Sequence, residues 1–393
     1  MSRGILCILP GQTCIFTCNI SYFCRIILII KMKFTSLSKL LLLLICSSII
    51  CISCKRNDDE PVRELAGISR LYVSYSDYEV NTTREPYPSL AIYSTADSST
   101  LATPLFYRSG AQGGAAIYFT PAYGQLMQSS VNNPSYVDTA LQVLTISREG
   151  SPASGFFFSN GILANIRGIA MDVREGRRHL YLSNNASPSR IYMYNNPAAV
   201  RGFRRPTQTI LLGENIRPWA IQMHNTDLLA TLTGDNSQFA VFGNLAAKNT
   251  VDSTFTADAP KIFTINGANN LQGFHYSESL NLLAMTDWSD ANEGKIYIFE
   301  NANNLLNGAS TVLVPTRVIT GPETGLINPV DVKLDGRANT DFLYVADRGA
   351  RKIFRFKWSD NGNVAPQIAK EERSIGRVLT PVGISLDARG TFK

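Results

Sequence analysis

The sequence predicts an all-β chain: a six-bladed β-propeller whose blades are four-stranded antiparallel sheets. Three observations carry this. A segment with a small third residue and an apolar-x-apolar tail recurs at near-equal intervals. Four short strand-like runs follow one another in the same order within each interval. The two chain ends hold complementary fragments of one further unit.

The recurring segments are GAAIYFT (114–120), IRGIAMD (166–172), PWAIQMH (218–224), LQGFHYS (271–277), PVDVKLD (329–335) and PVGISLD (381–387). Their third residues, Ala116, Gly168, Ala220, Gly273, Asp331 and Gly383, are spaced by 52, 52, 53, 58 and 52 residues. A period near fifty marks an array whose units bury their faces only against one another. A second strand follows in HLYLSN, LLATLTG, LLAMTD and FLYVAD, and a third in RIYMY, QFAVF, KIYIF and KIFRF. The fourth is read in TQTILLG, PKIFTING, TRVITG and ERSIG (372–376). Gly, Asp and Asn fill the turns between them, as tight turns require. Unit 115–163 conforms loosely, through YGQLMQS, TALQVLTI and GFFFS. RLYVSYS, SLAIYST and PLFYRS in residues 70–109 supply strands two to four with no first, while 381–387 is a first strand with nothing after it. Pairing them closes the ring and removes the open edges of a stack.

The body is nearly neutral. Five of the 37 Lys and Arg and none of the 31 Asp and Glu precede Cys54, so residues 55–393 carry 32 − 31 = +1. Such a body lacks the basic footprint of a nucleic-acid binder. All seven cysteines lie within the first 54 residues, so the repeats hold neither a disulfide nor a thiolate metal site.

Met32–Lys39 is a short basic segment, and Leu40–Ile50 is an apolar run of secretory length that ends in Ile52-Ser53-Cys54 before a polar stretch. Residues 32–53 resemble a bacterial lipoprotein signal, with Cys51 where that motif usually has Leu. The resemblance implies lipidation of Cys54, a polar linker over 54–63, and a membrane partner reached through the anchor. Asp58-Asp59-Glu60 resembles the export tag of some surface lipoproteins, which implies a cell-envelope location at the outer membrane, with a periplasmic and an outward-facing orientation both open. Residues 1–31 fit neither pattern, and Met32 is read as the start. The propeller is assigned to 64–393.

The pattern Pro381-Val-Gly383-Ile-Ser-Leu-Asp387, with Leu343-Tyr-Val-Ala-Asp347 and then Lys352-Ile-Phe, resembles the NHL repeat of six-bladed propellers. The resemblance is close over 113–393 and weaker over 62–112, and it speaks to fold more than to activity. It implies that ligands gather on the face bearing the 4→1 and 2→3 loops. On that face it places Asp331, Arg167, Arg217, Trp219, Gln272, Trp288, Asn328 and Arg348 as candidate ligand contacts. Asp331, a carboxylate where five repeats keep Gly or Ala, is read either as a channel ligand or as a carboxylate paired with a cation or capping a turn. Asp331→Ala is expected to leave folding intact.

Asn184, Asp235, Asp287 and Asp331 are the candidates for a divalent cation such as Ca²⁺ in the central channel, though no cofactor is required by the sequence. The three histidines fall on different blades and suggest no zinc site. No nucleophile elbow, phosphate loop or metalloprotease helix motif is present. The reading is a membrane-anchored, non-enzymatic binding module for an envelope protein, peptide or glycan, with no catalytic residues assigned. The resemblance keeps open a metal-dependent hydrolase, lactonase or lyase of the gluconolactonase-like type.

Overall fold

The structure, a computed structural model, describes residues 67–79, 87–132, 137–174, 176–234, 237–248 and 253–390, with the short strands Ile8–Leu9 and Gln12–Thr13. The chain forms two compact units, Met1–Glu64 and Leu65–Lys393. In the first, Ile8–Leu9 pairs antiparallel with Gln12–Thr13. The leader, Cys54, the acidic run after it and Asp235 lie outside the described residues.

The second unit is the six-bladed propeller. Blade 1 takes its inner strand from the C-terminus, Pro381–Arg389, which pairs antiparallel with Ile68–Tyr75 and so closes the ring. The inner strands of blades 2 to 6 are Gly114–Thr120, Ile166–Asp172, Pro218–His224, Phe274–Ser277 and Pro329–Leu334. Each blade continues outward in chain order through three further antiparallel strands. Alternating apolar residues face the two neighbouring blades, and one buried cluster fills every junction. The cluster joining Val73, Tyr75 and Tyr93 to Tyr344 and Ile353 lies between blades 6 and 1, so the ring is continuous.

Two features depart from the sequence reading. The fourth strand of blade 6 is Ile368–Lys370, upstream of ERSIG. Arg373–Ser374 instead folds back on Arg377–Val378, because Ile375 (φ 51°) and Gly376 (φ 75°) both adopt the left-handed conformation of a two-residue hairpin turn. The connections from strand three to strand four also do more than connect. Those of blades 3, 4 and 5 lay Gly202–Phe203, Thr254–Thr256 and Val312–Leu313 in parallel on the outermost strand of the preceding blade. Gly362 of blade 6 does the same to Ile319. Three of these excursions leave strand three through a left-handed Asn, Asn196, Asn244 or Asn301, followed by a helical turn. The outer edges of blades 2 to 5 are thereby covered, which blunts the pairing hazard of an open edge.

The third residue of the recurring seven-residue segment, by which inner-strand positions are counted, is small in five blades because the next inner strand passes close by. A Cβ on Gly273 would meet Cα of Asp331 at 2.4 Å, and one on Gly168 would meet the Trp219 carbonyl at 2.6 Å. Opposite that residue, the second strand carries a hydroxyl in five blades: Ser74, Ser129, Ser183, Thr231 and Thr286. Ser129 Oγ donates to the Ile166 carbonyl, Ser183 Oγ to that of Trp219 and Thr231 Oγ1 to that of Gln272, each joining one blade to the next. In blade 6 this partner is Ala346, and its opposite number is Asp331. The Asp331 carboxylate supplies the missing tie, accepting the Ile384 N–H of blade 1 at 2.9 Å.

The junction of blades 6 and 1, which residues 371–380 join as a 4→1 connection, also carries charged ties. Arg337, 3% exposed, is held by Asp335 at 2.5 Å and by Asp97 of blade 1 at 3.1 Å. The Tyr93 hydroxyl donates to Glu372, and Arg355 Nη1 to the carbonyls of Ala96 and Ser98.

Two stability predictions follow from these ties. Asp331→Ala, by orphaning the Ile384 N–H and Lys333, is expected to cost about 1–3 kcal/mol in urea denaturation, contrary to the sequence-based expectation. Ala346→Ser in the same chain should recover part of it by restoring the hydroxyl of the other blades. Arg337→Ala, which leaves two carboxylates facing each other with no cation, is expected to cost about 3–5 kcal/mol. An unchanged midpoint for Arg337→Ala would show that the seam is held by its apolar cluster alone.

Candidate functional site

The inner strands enclose an axial channel with a cavity of about 670 Å³. Its mouth lies where 4→1 loops meet 2→3 turns, and buried carboxylates fix that meeting. Asp347, at the end of a second strand, accepts the backbone N–H of Ile327 at 2.8 Å and of Asn328 at 3.0 Å. Asp287 accepts those of Asn269 and Asn270, the latter at 2.6 Å, and Asn184 Oδ1 accepts that of Asn165 at 2.9 Å. Burial pushes both the Asp287 and Asp347 carboxyls above their ordinary value, with these N–H donors opposing the shift. Asn184, Asp287 and Asp347 are therefore loop anchors, outside the channel lining.

Inside the channel, the fifth residue of each inner strand forms the waist: Tyr118, Ala170, Gln222, His275, Lys333 and Ser385. Three of them bond the backbone of the next inner strand at its sixth residue. The Gln222 amide donates to the Tyr276 carbonyl at 2.7 Å and accepts its N–H at 3.0 Å. His275 Nδ1 accepts the Leu334 N–H at 3.0 Å, and Ser385 Oγ accepts that of Phe119 at 2.9 Å. Lys333 turns instead to Asp331, at 2.7 Å. Burial, and then the charge of Lys333, pushes the His275 imidazole down to about 3. It is neutral, with its proton on Nε2. Only alignment of the six repeats on their third residue could have picked out this waist from sequence.

The second residue of each inner strand forms the mouth: Ala115, Arg167, Trp219, Gln272, Val330 and Val382. It is polar or aromatic on blades 3 to 5 and apolar on blades 6, 1 and 2. Arg348, on the 2→3 turn of blade 6, joins it. Arg167 lies over the Trp219 ring, 5.2 Å from its centroid. Burial, and then the charge of Arg348, pushes the Arg167 guanidinium down to about 10.

Of the eight candidate contacts, the structure thus brings Asp331, Arg167, Trp219, Gln272 and Arg348 to one cavity. Arg217 is exposed, and Trp288 and Asn328 are partly buried away from the lining. The three described metal candidates do not converge: Asn184 and Asp287 anchor loops, and of the three Asp331 alone lines the channel. Among the described residues no three His, Cys, Asp or Glu side chains form a metal-sized cluster. Asp331 has its oxygens engaged by the Val332 N–H, the Lys333 ammonium and the Ile384 N–H. A carboxylate so engaged, next to a mouth with two guanidiniums, does not fit the oxygen-rich shell that a hard divalent cation needs.

No family model matches the sequence, and no curated protein does. The fold is similar to a chain of a nidogen/laminin complex, at 13% identity and TM-score 0.52, over 81% of this chain and 98% of that one. It is also similar to a protein described as a 6-phosphogluconolactonase from Bacteroides fragilis, at 12% identity and TM-score 0.49, over 84% of this chain and 100% of that one. A periplasmic gluconolactonase of Pseudomonas aeruginosa matches at 12% identity and TM-score 0.48, over 82% and 99% of the two chains. At these identities the likeness is one of fold.

The neutral His275 gives the site a pH signature. Its folded value lies below that of the unfolded chain, so the unfolded state binds the proton first as pH falls. Stability is expected to be level above about pH 6.5 and to decline toward about pH 3. His275→Gln, able to accept the Leu334 N–H as Gln222 accepts that of Tyr276, should flatten this decline in urea titrations at stepped pH. An unaltered slope would assign the decline to His179 and His224, whose values burial also lowers.

Proposed function

We propose that this chain is a binding propeller, held at the cell envelope through a lipidated Cys54, that captures part of a protein, peptide or glycan in the mouth of its channel. One observation carries the binding reading. Gln222, His275 and Ser385 at the channel waist are engaged in stitching the blades together, whereas the buried polar atoms of the lining that lack a partner, Arg167 Nε and Gln272 Oε1, are both at the mouth. Groups left unsatisfied at a concave site await a ligand rather than support a fold. The volume suits one residue or one to two sugar units, and the Trp219 face adds stacking surface.

The hydrolase alternative needs a carboxylate free to hold a metal or move a proton. Asp331, the acid at this end of the channel, is committed to Lys333 and Ile384. The anchoring half of the proposal rests on the leader alone.

Trp219 provides the test. Trp288 and Trp358 have indole N–H groups without hydrogen-bond partners, so replacing both with Phe leaves Trp219 as the one reporter at little structural cost. Hits from a glycan and peptide array are expected to change Trp219 emission saturably, and Trp219→Ala should weaken them about tenfold, or about 1.4 kcal/mol. Saturable binding that leaves Trp219 silent would place the ligand elsewhere. Acid release from a sugar lactone is expected at background; turnover abolished by Asp331→Asn would replace binding with catalysis. Cys54→Ala should move the protein from the membrane fraction to the soluble one.

A further inference from the structure

We propose that the channel mouth is an oxyanion site, in which Arg167 and Arg348 share the anionic group of a ligand that also donates a hydrogen bond to Gln272. This rests on the mouth being the binding face and adds the chemistry of what it binds.

Three independent observations lead there. First, neither guanidinium has a counter-charge in contact: Asp347, whose charge reaches Arg348, spends its oxygens on the backbone N–H groups of Ile327, Asn328 and Ala350. Lys333, lower in the same channel, has Asp331, and Arg337 and Arg389 have carboxylates of their own. Neither Arg167 nor Arg348 is ion-paired among the described residues, although they are near enough for Arg348 to depress the Arg167 value. Two like charges held together in a concave site are a standing cost that an anion relieves.

Second, Arg167 is pre-positioned. Its guanidinium is held over the Trp219 ring, and its Nε–H is buried without an acceptor. A guanidinium whose fork is already oriented loses little freedom when it takes two oxygens of a carboxylate or phosphate. Third, Gln272 is 6% exposed and its Oε1 has no donor. An anion bearing only acceptors would satisfy Arg167 and leave Gln272 orphaned, so the ligand carries a hydroxyl or amine beside its anionic group. Ala115, Val330 and Val382, at the same level on the other blades, complete the mouth with an apolar arc. The shape called for is an acid with a polar edge and an apolar face.

The anionic group is a carboxylate or a phosphate, and the experiment separates them. Isothermal titration of the full chain uses sodium glucuronate, inorganic phosphate and glucose at about 20 and about 150 mM NaCl. Glucuronate and glucose share a ring and differ in the carboxylate. At least one anion is expected to bind saturably, about tenfold tighter than glucose, and to weaken as salt rises. Tighter glucuronate assigns a carboxylate ligand, and tighter phosphate a phosphorylated one.

Arg167→Gln and Arg348→Gln should each weaken the preferred anion about tenfold and leave glucose unchanged. Arg348 sits on an exposed turn, so its variant keeps the test open if Arg167→Gln fails to fold. Gln272→Leu should weaken glucuronate, whose ring hydroxyls would lose their acceptor. The proposal is overturned if neither anion binds more tightly than glucose, or if binding survives both arginine variants. Trp219 emission separates the two levels. A response to glucose equal to that for the anions keeps the mouth as the binding face and removes the oxyanion. Binding of any of the three without a Trp219 response removes both.

Discussion

Six strands cannot crowd around one axis at backbone separation unless each gives up a side chain where it passes its neighbour. That steric demand is the constraint on which the rest of this propeller depends. It explains why a Cβ at Gly168, Gly273 or Gly383 would fall within 2.7 Å of the next strand's backbone. It explains the bulges that shift register at that level in five of the inner strands, since the pleat must be broken to bring backbone toward backbone. It also creates buried carbonyl and N–H groups between blades, which the second-strand hydroxyls then satisfy.

The same constraint decided what could be read from the sequence. A small residue at one level of five blades made the period visible, and with the period came the blade count and closure by 381–387. Asp331 stood out for the same reason, but its meaning lay in a residue that attracted no notice. Ala346 is unremarkable in FLYVAD until Ser183, Thr231 and Thr286 are set beside it. The acid is then seen as half of an exchange: the hydroxyl is lost from the second strand and a carboxylate gained on the first, with Lys333 recruited to hold it. A position that breaks a repeat is thus ambiguous until its structural partner is known. The parallel outer strands were illegible for a different reason. Two or three residues have no periodicity, and their partners lie in another blade. ERSIG misled because alternation alone cannot distinguish a fourth strand from a hairpin arm; the Ile-Gly pair at its end was the cue.

The levels of the channel differ in how far the fold dictates them. The third residue is fixed by sterics and the fifth is drawn into hydrogen bonds across blades, but the second, at the mouth, answers to neither. Chemistry can vary there without loss of the ring, and it does: Arg167, Trp219 and Gln272 on three consecutive blades, Ala115, Val330 and Val382 on the others. The candidate ligand contacts were legible as residue types on the expected face. Their division into mouth, loop anchor and surface was not, because it depends on the side from which each strand enters the channel.

Closure and recognition meet in blade 6. That blade supplies Arg348 to the mouth, Asp331 to the tie with Ile384, and Arg337 to the network reaching Asp97. The two ends of the propeller meet inside blade 1, where Pro381–Arg389 pairs with Ile68–Tyr75, so the ring stays closed only while blade 1 is held together and against blade 6. A ligand held between Arg348 of blade 6 and Arg167 of blade 3 spans the channel and binds only the closed ring. By mass action it stabilises closure in proportion to its occupancy. The polar lacing of the seam then serves the site as well as the fold, because it holds Arg348 opposite Arg167 before any ligand arrives. Affinity at the mouth is set partly by residues that a ligand never touches.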